Sequence, residues 1–272
     1  MSITIDFSGK TVVVIGGTSG INRGIAELFA RHGARVAVAS RSEEKVADTV
    51  AALKALGAEA MGFSADVRDL PAIEAGLAGV HGAWGDFDVL VSGAAGNFPA
   101  SLNGMSANAF RSVVEIDLMG TVHVMKASHP YLKKPGASVV NISAPQAFLP
   151  MPGQSHVSAA KAGVDMITRT LAIEWGAEGI RINSVVPGPI GGTEGMARLA
   201  PTEEAIGKVA ASVPLGRLGT PDDIGHACMF LASDMGAYVS GAVLPVDGGW
   251  AQSGCGGMGM FLGKLVAQME GR

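Results

Sequence analysis

Apolar residues arrive along this chain in two alternating patterns. Short runs dominated by β-branched and small apolar residues fall at 11–15, 35–40, 60–64, 89–92, 138–142, 181–186 and 242–246. Runs of that length with little polar alternation predict strands buried on both faces. Most of the stretches between them are long enough for helices, and two long ones are predicted over 108–131 and 158–175. Seven strands with helical crossovers predict the α/β class: a Rossmann-type, doubly wound, seven-stranded parallel sheet in three layers, forming a single domain over 1–250. Such sheets bind ligands at the carboxyl ends of their strands, so each strand's C-terminal edge is where chemistry is sought. Beyond it, 251–272 reads as a C-terminal extension. A glycine-rich stretch over 254–259 precedes a short amphipathic helix with Phe261, Leu262, Leu265, Val266 and Met269 on one side, expected to pack on a neighbouring subunit.

The first strand breaks at Gly16 and Gly17 into the polar turn Thr18-Ser19-Gly20, and a helix opens near Ile21. Strand, glycine turn, helix is a phosphate-binding arrangement, because glycines let the main chain approach a pyrophosphate and the free amides at a helix start offset its charge. The glycines at 16, 20 and 24 do not match the G-x-G-x-x-G fingerprint, so the turn alone reads either as a dinucleotide loop or as a tight turn. After the second strand stand Ser40 and Arg41, at the edge where an NAD-selective fold usually places a carboxylate. A guanidinium there can hold a 2′-phosphate bidentately, which favours NADPH/NADP over NADH; the alternative is a solvated arginine at a helix start.

Composition narrows the field. The chain has 272 residues, 48% hydrophobic and 16% charged, enough to bury a large core. A net charge of −4 supplies no basic field, which argues against nucleic acid as a partner. The two cysteines, Cys228 and Cys255, lie far apart without metal-ligand spacing, so a reduced, cytoplasmic protein with no metal site is expected. No stretch approaches the ~18 apolar residues of a membrane span, and the first ten residues are too polar for a signal peptide.

These residues carry a resemblance. Gly16-x-x-x-Gly20-Ile21 resembles the T-G-x-x-x-G-I-G loop of the short-chain dehydrogenase/reductases, with Ile15 for the Thr and Asn22 for the third Gly. Ser92-Gly93-Ala94-Ala95 stands where that family shows N-N-A-G, and Asp117 in Ile116-Asp117-Leu118-Met119-Gly120 takes the place of its active-site Asn. Lys161 matches the family lysine; counting back, Val157 falls at the position of the family's Tyr and Ala144 at that of its Ser. The stretches Ala94 to Phe98, Ile116-Asp117, His156, Glu174-Trp175-Gly176 and Pro187 to Gly195 together are similar to the 2,4-dienoyl-CoA reductases, especially the peroxisomal type, over about residues 7–250.

The resemblance implies cofactor contacts from Gly16, Thr18, Ser19, Gly20 and Ile21, from the Asp66-Val67 pair at the adenine edge, from Ala94, and from Pro187, Gly188, Ile190 and Thr193 around the nicotinamide. Asp66 alone reads equally as a helix cap. Lys161, which in isolation would be a solvent-facing lysine, is placed on the nicotinamide ribose. A tetramer joined through the helices near residues 108 and 158 is also implied.

Missing the phenol and the hydroxyl, the chain lacks the acid that an alkoxide from ketone reduction needs. Hydride addition to a conjugated C=C bond instead spreads charge onto a distant thioester carbonyl. Carbon protonation can then use Asp117, His156 or water, with Asp117 either a proton donor raised by burial or a structural hydrogen-bonding group. The expected activity is therefore NADPH-dependent reduction of an enoyl or 2,4-dienoyl thioester such as an acyl-CoA. Two alternatives remain: a carbonyl reductase using Ser143, His156 or Ser158 as substitute acid, and a non-catalytic NADP-binding protein. A substrate lid is expected over about 190–214, with Arg198, Lys208 and Arg217 as candidates for CoA phosphates and Asp247 within reach of the substrate.

Overall fold

A computed structural model of the chain describes residues 5–253, apart from the side chains of residues 198 and 199. Seven strands form one sheet: β1 (Thr11–Ile15), β2 (Arg35–Ser40), β3 (Ala60–Ser64), β4 (Val89–Ser92), β5 (Ser138–Ile142), β6 (Arg181–Pro187) and β7 (Val243–Val246). They run parallel in the order β3-β2-β1-β4-β5-β6-β7. The order reverses between β1 and β4, which opens a crevice at their carboxyl ends. Between the strands lie α1 (Gly20–Arg31), α2 (Glu43–Ala55), α3 (Leu70–Trp84), α4 (Ala107–Val113), α5 (Gly120–Ser128), α6 (Ser155–Glu174), α7 (Glu194–Leu199), α8 (Glu203–Ser212) and α9 (Pro221–Ala232).

The β-branched runs form central strands because both faces are covered. Val12 and Val14 point into one core with Ile25 and Phe29 of α1 and Ile224 of α9; Val13 and Ile15 point into the other with Ile73 and Leu77 of α3 and Val124 of α5. Period-two alternation in β1 thus serves two layers, both apolar, which is why the sequence shows no polar alternation.

The expected helix over 108–131 is interrupted. A π-helical segment, Val114–Met119, joins α4 to α5, and a short 3₁₀ turn, His129–Tyr131, ends it. The wider turn rotates Asp117 inward, and Thr121 Oγ1 donates to the Asp117 carbonyl at 2.7 Å. Gly163 lets α6 close on this segment, since a Cβ there would lie 2.9 Å from Leu118. Among the described residues, no helix is long and apolar enough to cross a membrane and no cluster of His, Cys, Asp and Glu could hold a metal. The helix expected over 261–269 lies outside the described residues, as does Cys255.

Candidate active site

A cavity of about 750 Å³ opens at the carboxyl edge of the sheet, within the range of small-molecule sites. Every residue assigned to the cofactor from the sequence lines it. The turn after β1 needs Gly16 twice over: its φ is +77°, and a Cβ would lie 2.8 Å from the Ala94 amide nitrogen. Ser19 occupies the N-cap of α1 without making a side-chain capping bond, so the first-turn amides are left for an anionic group. The Ser40 hydroxyl is buried without a partner, and the exposed Arg41 guanidinium forms no ion pair among the described residues. These features fit a dinucleotide carrying a 2′-phosphate. Asp66 is not the cap of α3, a role taken by Asp69. Its carboxylate is clasped by Arg68 at 2.6 and 2.9 Å, which lowers it to about 2. Thr193 caps α7, accepting from the Met196 amide while donating to the Ile190 carbonyl.

The reacting end of the cavity is built on α6 and the π segment. Lys161 and Asp117 are both buried there; Lys161 Nζ donates to the Ile142 carbonyl at 3.0 Å and stands 3.5 Å from Asp117 Oδ2. Asp117 Oδ1 accepts the Gly96 amide at 2.7 Å. At 3.5 Å the ammonium and Oδ2 form an ion pair rather than a tight hydrogen bond, and Oδ2 has no other partner. Burial pushes the Asp117 carboxyl above the ordinary carboxylate range, although Lys161, the Gly96 amide and His156 all act to lower it. A carboxyl so held can carry a proton, and among the described residues its Oδ2 is met by Lys161 alone.

Val157 and Ala144 line the same wall, so the positions of the missing phenol and hydroxyl face the cavity with nothing to donate. Neither tyrosine fills the gap. Tyr131 stacks on His81 at 4.8 Å, away from the cavity, and Tyr238 is fully exposed. Ser143 lines the cavity with its hydroxyl buried, close enough to the Asp165 carboxyl, which burial raises, to act to lower it.

His156 corrects an expectation: it is fully buried and does not line the cavity, because its ring packs on Phe98 at 4.6 Å and Phe110 at 6.3 Å. Both ring nitrogens lack partners among the described residues. Asp247 is also withdrawn from the substrate side, since its two oxygens accept the Gly249 and Ala251 amides. Arg217 is held by Asp223 and Lys208 pairs with Glu204, while the side chain of Arg198 is not described.

The expected lid consists of α7 and α8, and Glu194, Met196 and Val209 line the cavity from it. Trp250 fastens α8, its indole N–H donating to Ser212 Oγ at 3.2 Å. Two groups near Lys161 and Asp117 escaped sequence reasoning: the Gly96 amide, a main-chain group with no sequence signature, and Asp165, one turn beyond Lys161 on α6 and raised by burial. The i, i+4 spacing of Lys161 and Asp165 was the one available signal.

The pattern of the family described as enoyl-(acyl carrier protein) reductase matches residues 16–251. A peroxisomal 2,4-dienoyl-CoA reductase, (3E)-enoyl-CoA-producing, from Arabidopsis thaliana is 42% identical over 251 residues, covering 89% of this chain and 84% of its own. A probable 2,4-dienoyl-CoA reductase, (2E)-enoyl-CoA-producing, from Bacillus subtilis is 37% identical, covering 88% and 96%. Among solved structures, RhlG of Pseudomonas aeruginosa, an NADP active-site complex, superposes with a TM-score of 0.85 at 26% identity, covering 92% of this chain and all of that one.

Proposed function

The chain belongs to the short-chain dehydrogenase/reductase family, as an oxidoreductase related to the 2,4-dienoyl-CoA reductases, and from that premise we propose that it reduces a 2,4-dienoyl thioester with NADPH. The observation that carries this reading is the wall formed by Val157 and Ala144 beside a buried Asp117–Lys161 pair: no phenol stands over the site, and a carboxyl does.

The glycine turn, the α1 amides, Arg41 and Lys161 would hold NADPH, whose chemistry when bound would be to supply a hydride to the far end of the conjugated system. Arg41 selects the 2′-phosphate, because its exposed guanidinium forms no ion pair among the described residues and is open to bidentate pairing. The substrate carbon chain lies along the apolar wall of Val157, Met196 and Val209, which excludes water. Addition of hydride at C5 breaks the C4–C5 double bond and leaves an extended dienolate, with charge shared between the thioester oxygen, C2 and C4. Gln146 and Ser143 offer donors to that oxygen. Asp117, whose carboxyl burial raises, is the group placed to deliver a proton to C2 through Oδ2, which leaves the C3–C4 double bond of a (3E)-enoyl thioester; Lys161 then stabilises the carboxylate until it recovers a proton. Kinetic protonation of a dienolate favours C2, and the Arabidopsis relative is named for the same (3E)-enoyl product.

A homo-oligomer fits the exposure of Met119, Met166 and Ile173, at 36, 57 and 83%, on or beside the helices the resemblance implicates in a tetramer. We place the protein in the cytoplasm on its sparse cysteine content.

Turnover of 2,4-decadienoyl-CoA with NADPH in D₂O tests the reading. The expected product is a (3E)-enoyl-CoA with one solvent deuteron on C2; deuterium at C4 with a (2E) double bond would reassign the protonation, and an unreacted dienoyl-CoA would reject the reaction.

A further inference from the structure

Two departures from the family pattern meet at one point in the structure. The resemblance places a glycine where Asn22 stands and an asparagine where Gly93 stands. In the fold these positions face each other: Asn22 Nδ2, on the first turn of α1, donates to the Gly93 carbonyl at 2.7 Å. A Cβ on Gly93 would run into the Asn22 carboxamide, so a side chain at either position excludes a full side chain at the other. Asn22 also lines the cavity, and its Oδ1 is buried without a partner.

We propose that the amide has changed sides, and that Asn22 is a positioning residue that fixes the strand-end strap of residues 93–96 from the helix instead of from the strand. The strap is held at three points. Its first amide, Gly93, donates to the Ile15 carbonyl at 3.0 Å; its first carbonyl accepts Asn22; and its last amide, Gly96, donates to Asp117 Oδ1 at 2.7 Å. Between them Ala94 lies against Gly16, close enough that a Cβ on that glycine would meet its amide nitrogen at 2.8 Å. The Asn22 amide therefore sets both the floor of the dinucleotide turn and the amide that orients the Asp117 carboxyl. Of the three restraints it is the only one made by a side chain outside the reacting end, and hence the one a substitution can remove cleanly.

The prescribed position of Asn22 predicts non-additive behaviour for the pair. Asn22→Ala leaves space and no donor; NADPH affinity, read by quenching of protein fluorescence, is expected to weaken about five- to tenfold. Asn22→Asp keeps the shape but puts an acceptor against the Gly93 carbonyl, and is expected to bind NADPH no better than the alanine variant. Gly93→Asn alone overpacks the site and is expected to lower the melting temperature, whereas the exchange Asn22→Gly with Gly93→Asn is expected to recover both the melting temperature and NADPH affinity to within about twofold of the parent. Recovery in the exchanged variant supports the proposal. Additive losses in it, or an Asn22→Ala variant that binds NADPH like the parent, would overturn it. Because both readouts are taken without acyl substrate, their outcome is independent of whether a dienoyl thioester is the substrate.

Discussion

Replacing Asp117 by Asn separates a catalytic carboxyl from a structural ion pair. The gross attraction between Lys161 Nζ and Asp117 Oδ2 at 3.5 Å is about 5 kcal/mol for an effective dielectric of about 20. Were that attraction the net effect, the Asp117 carboxyl would lie below its ordinary value; instead burial outweighs Lys161, the Gly96 amide and His156 together and raises it. Desolvation thus exceeds the Coulombic gain, as it often does for buried pairs. Asparagine keeps the volume and, through its oxygen, the Gly96 hydrogen bond, while Lys161 retains the Ile142 carbonyl. Asp117→Asn is therefore expected to lower the urea-unfolding free energy by less than the ~3–5 kcal/mol that follows when removal of one partner leaves a buried charge uncompensated, because Lys161 keeps the Ile142 carbonyl. Turnover of the dienoyl thioester is expected to fall by roughly 10²- to 10⁴-fold, the range for a lost general acid, while NADPH affinity changes by less than about tenfold. Steady-state kinetics, cofactor titration and urea unfolding on one preparation decide it. A loss of several kcal/mol in stability accompanied by equal losses in turnover and cofactor affinity would refute the reasoning.

Further outcomes follow from the same structure. Because the Asp117 carboxyl is raised above 3.8 in the folded state, its contribution to stability is full below that pH and is lost as the pH rises through the folded-state value. Urea unfolding of the parent and Asp117→Asn across the acidic range should show the parent's relative stability falling as the pH rises; a relative gain would contradict the assignment. Arg41→Ala should weaken NADPH about 10- to 100-fold, the loss of a hydrogen bond to a charged group of about 1.5–3 kcal/mol, and leave NADH nearly unchanged; equal losses for both would place the guanidinium away from the 2′-phosphate. Gly188→Ala should cost about 1–3 kcal/mol in urea unfolding, since its Cβ would lie 2.6 Å from the Asp247 Cα; unchanged stability would contradict this close approach. Trp250→Phe, which removes the bond to Ser212, should raise KM for the acyl substrate more than it changes NADPH affinity, measured by steady-state kinetics; a change confined to NADPH would mean that α8 is not a substrate lid.

The strands were legible because burial on both faces leaves its mark on every residue of a run: β1 through β5 begin and end where the apolar pattern does, and β6 and β7 differ from it by one residue. Glycine positions disclosed the cofactor turn for a similar reason, as Gly16 answers to a positive φ and a close backbone contact at once. The interruption of the helix at Val114–Met119 was not legible, because a π turn follows from packing against α6 and not from the local pattern. His156 shows the opposite failure. Its place beside the vacant tyrosine position suggested chemistry, but a neighbour in sequence on a helix points about 100° away, here toward Phe98 and Phe110. Asp247 was misjudged on the same ground: a strand-end carboxylate is as suited to closing its own turn as to meeting a ligand.

The most direct test is the ratio of kcat/KM for 2,4-decadienoyl-CoA to that for a 3-oxoacyl-CoA of the same length, both with saturating NADPH. A ratio far above one is expected, because the cavity wall offers a buried carboxyl and no phenol. A ratio below one would mean that ketone reduction proceeds without the phenol, and tight NADPH binding with neither substrate consumed would mean that the site no longer catalyses.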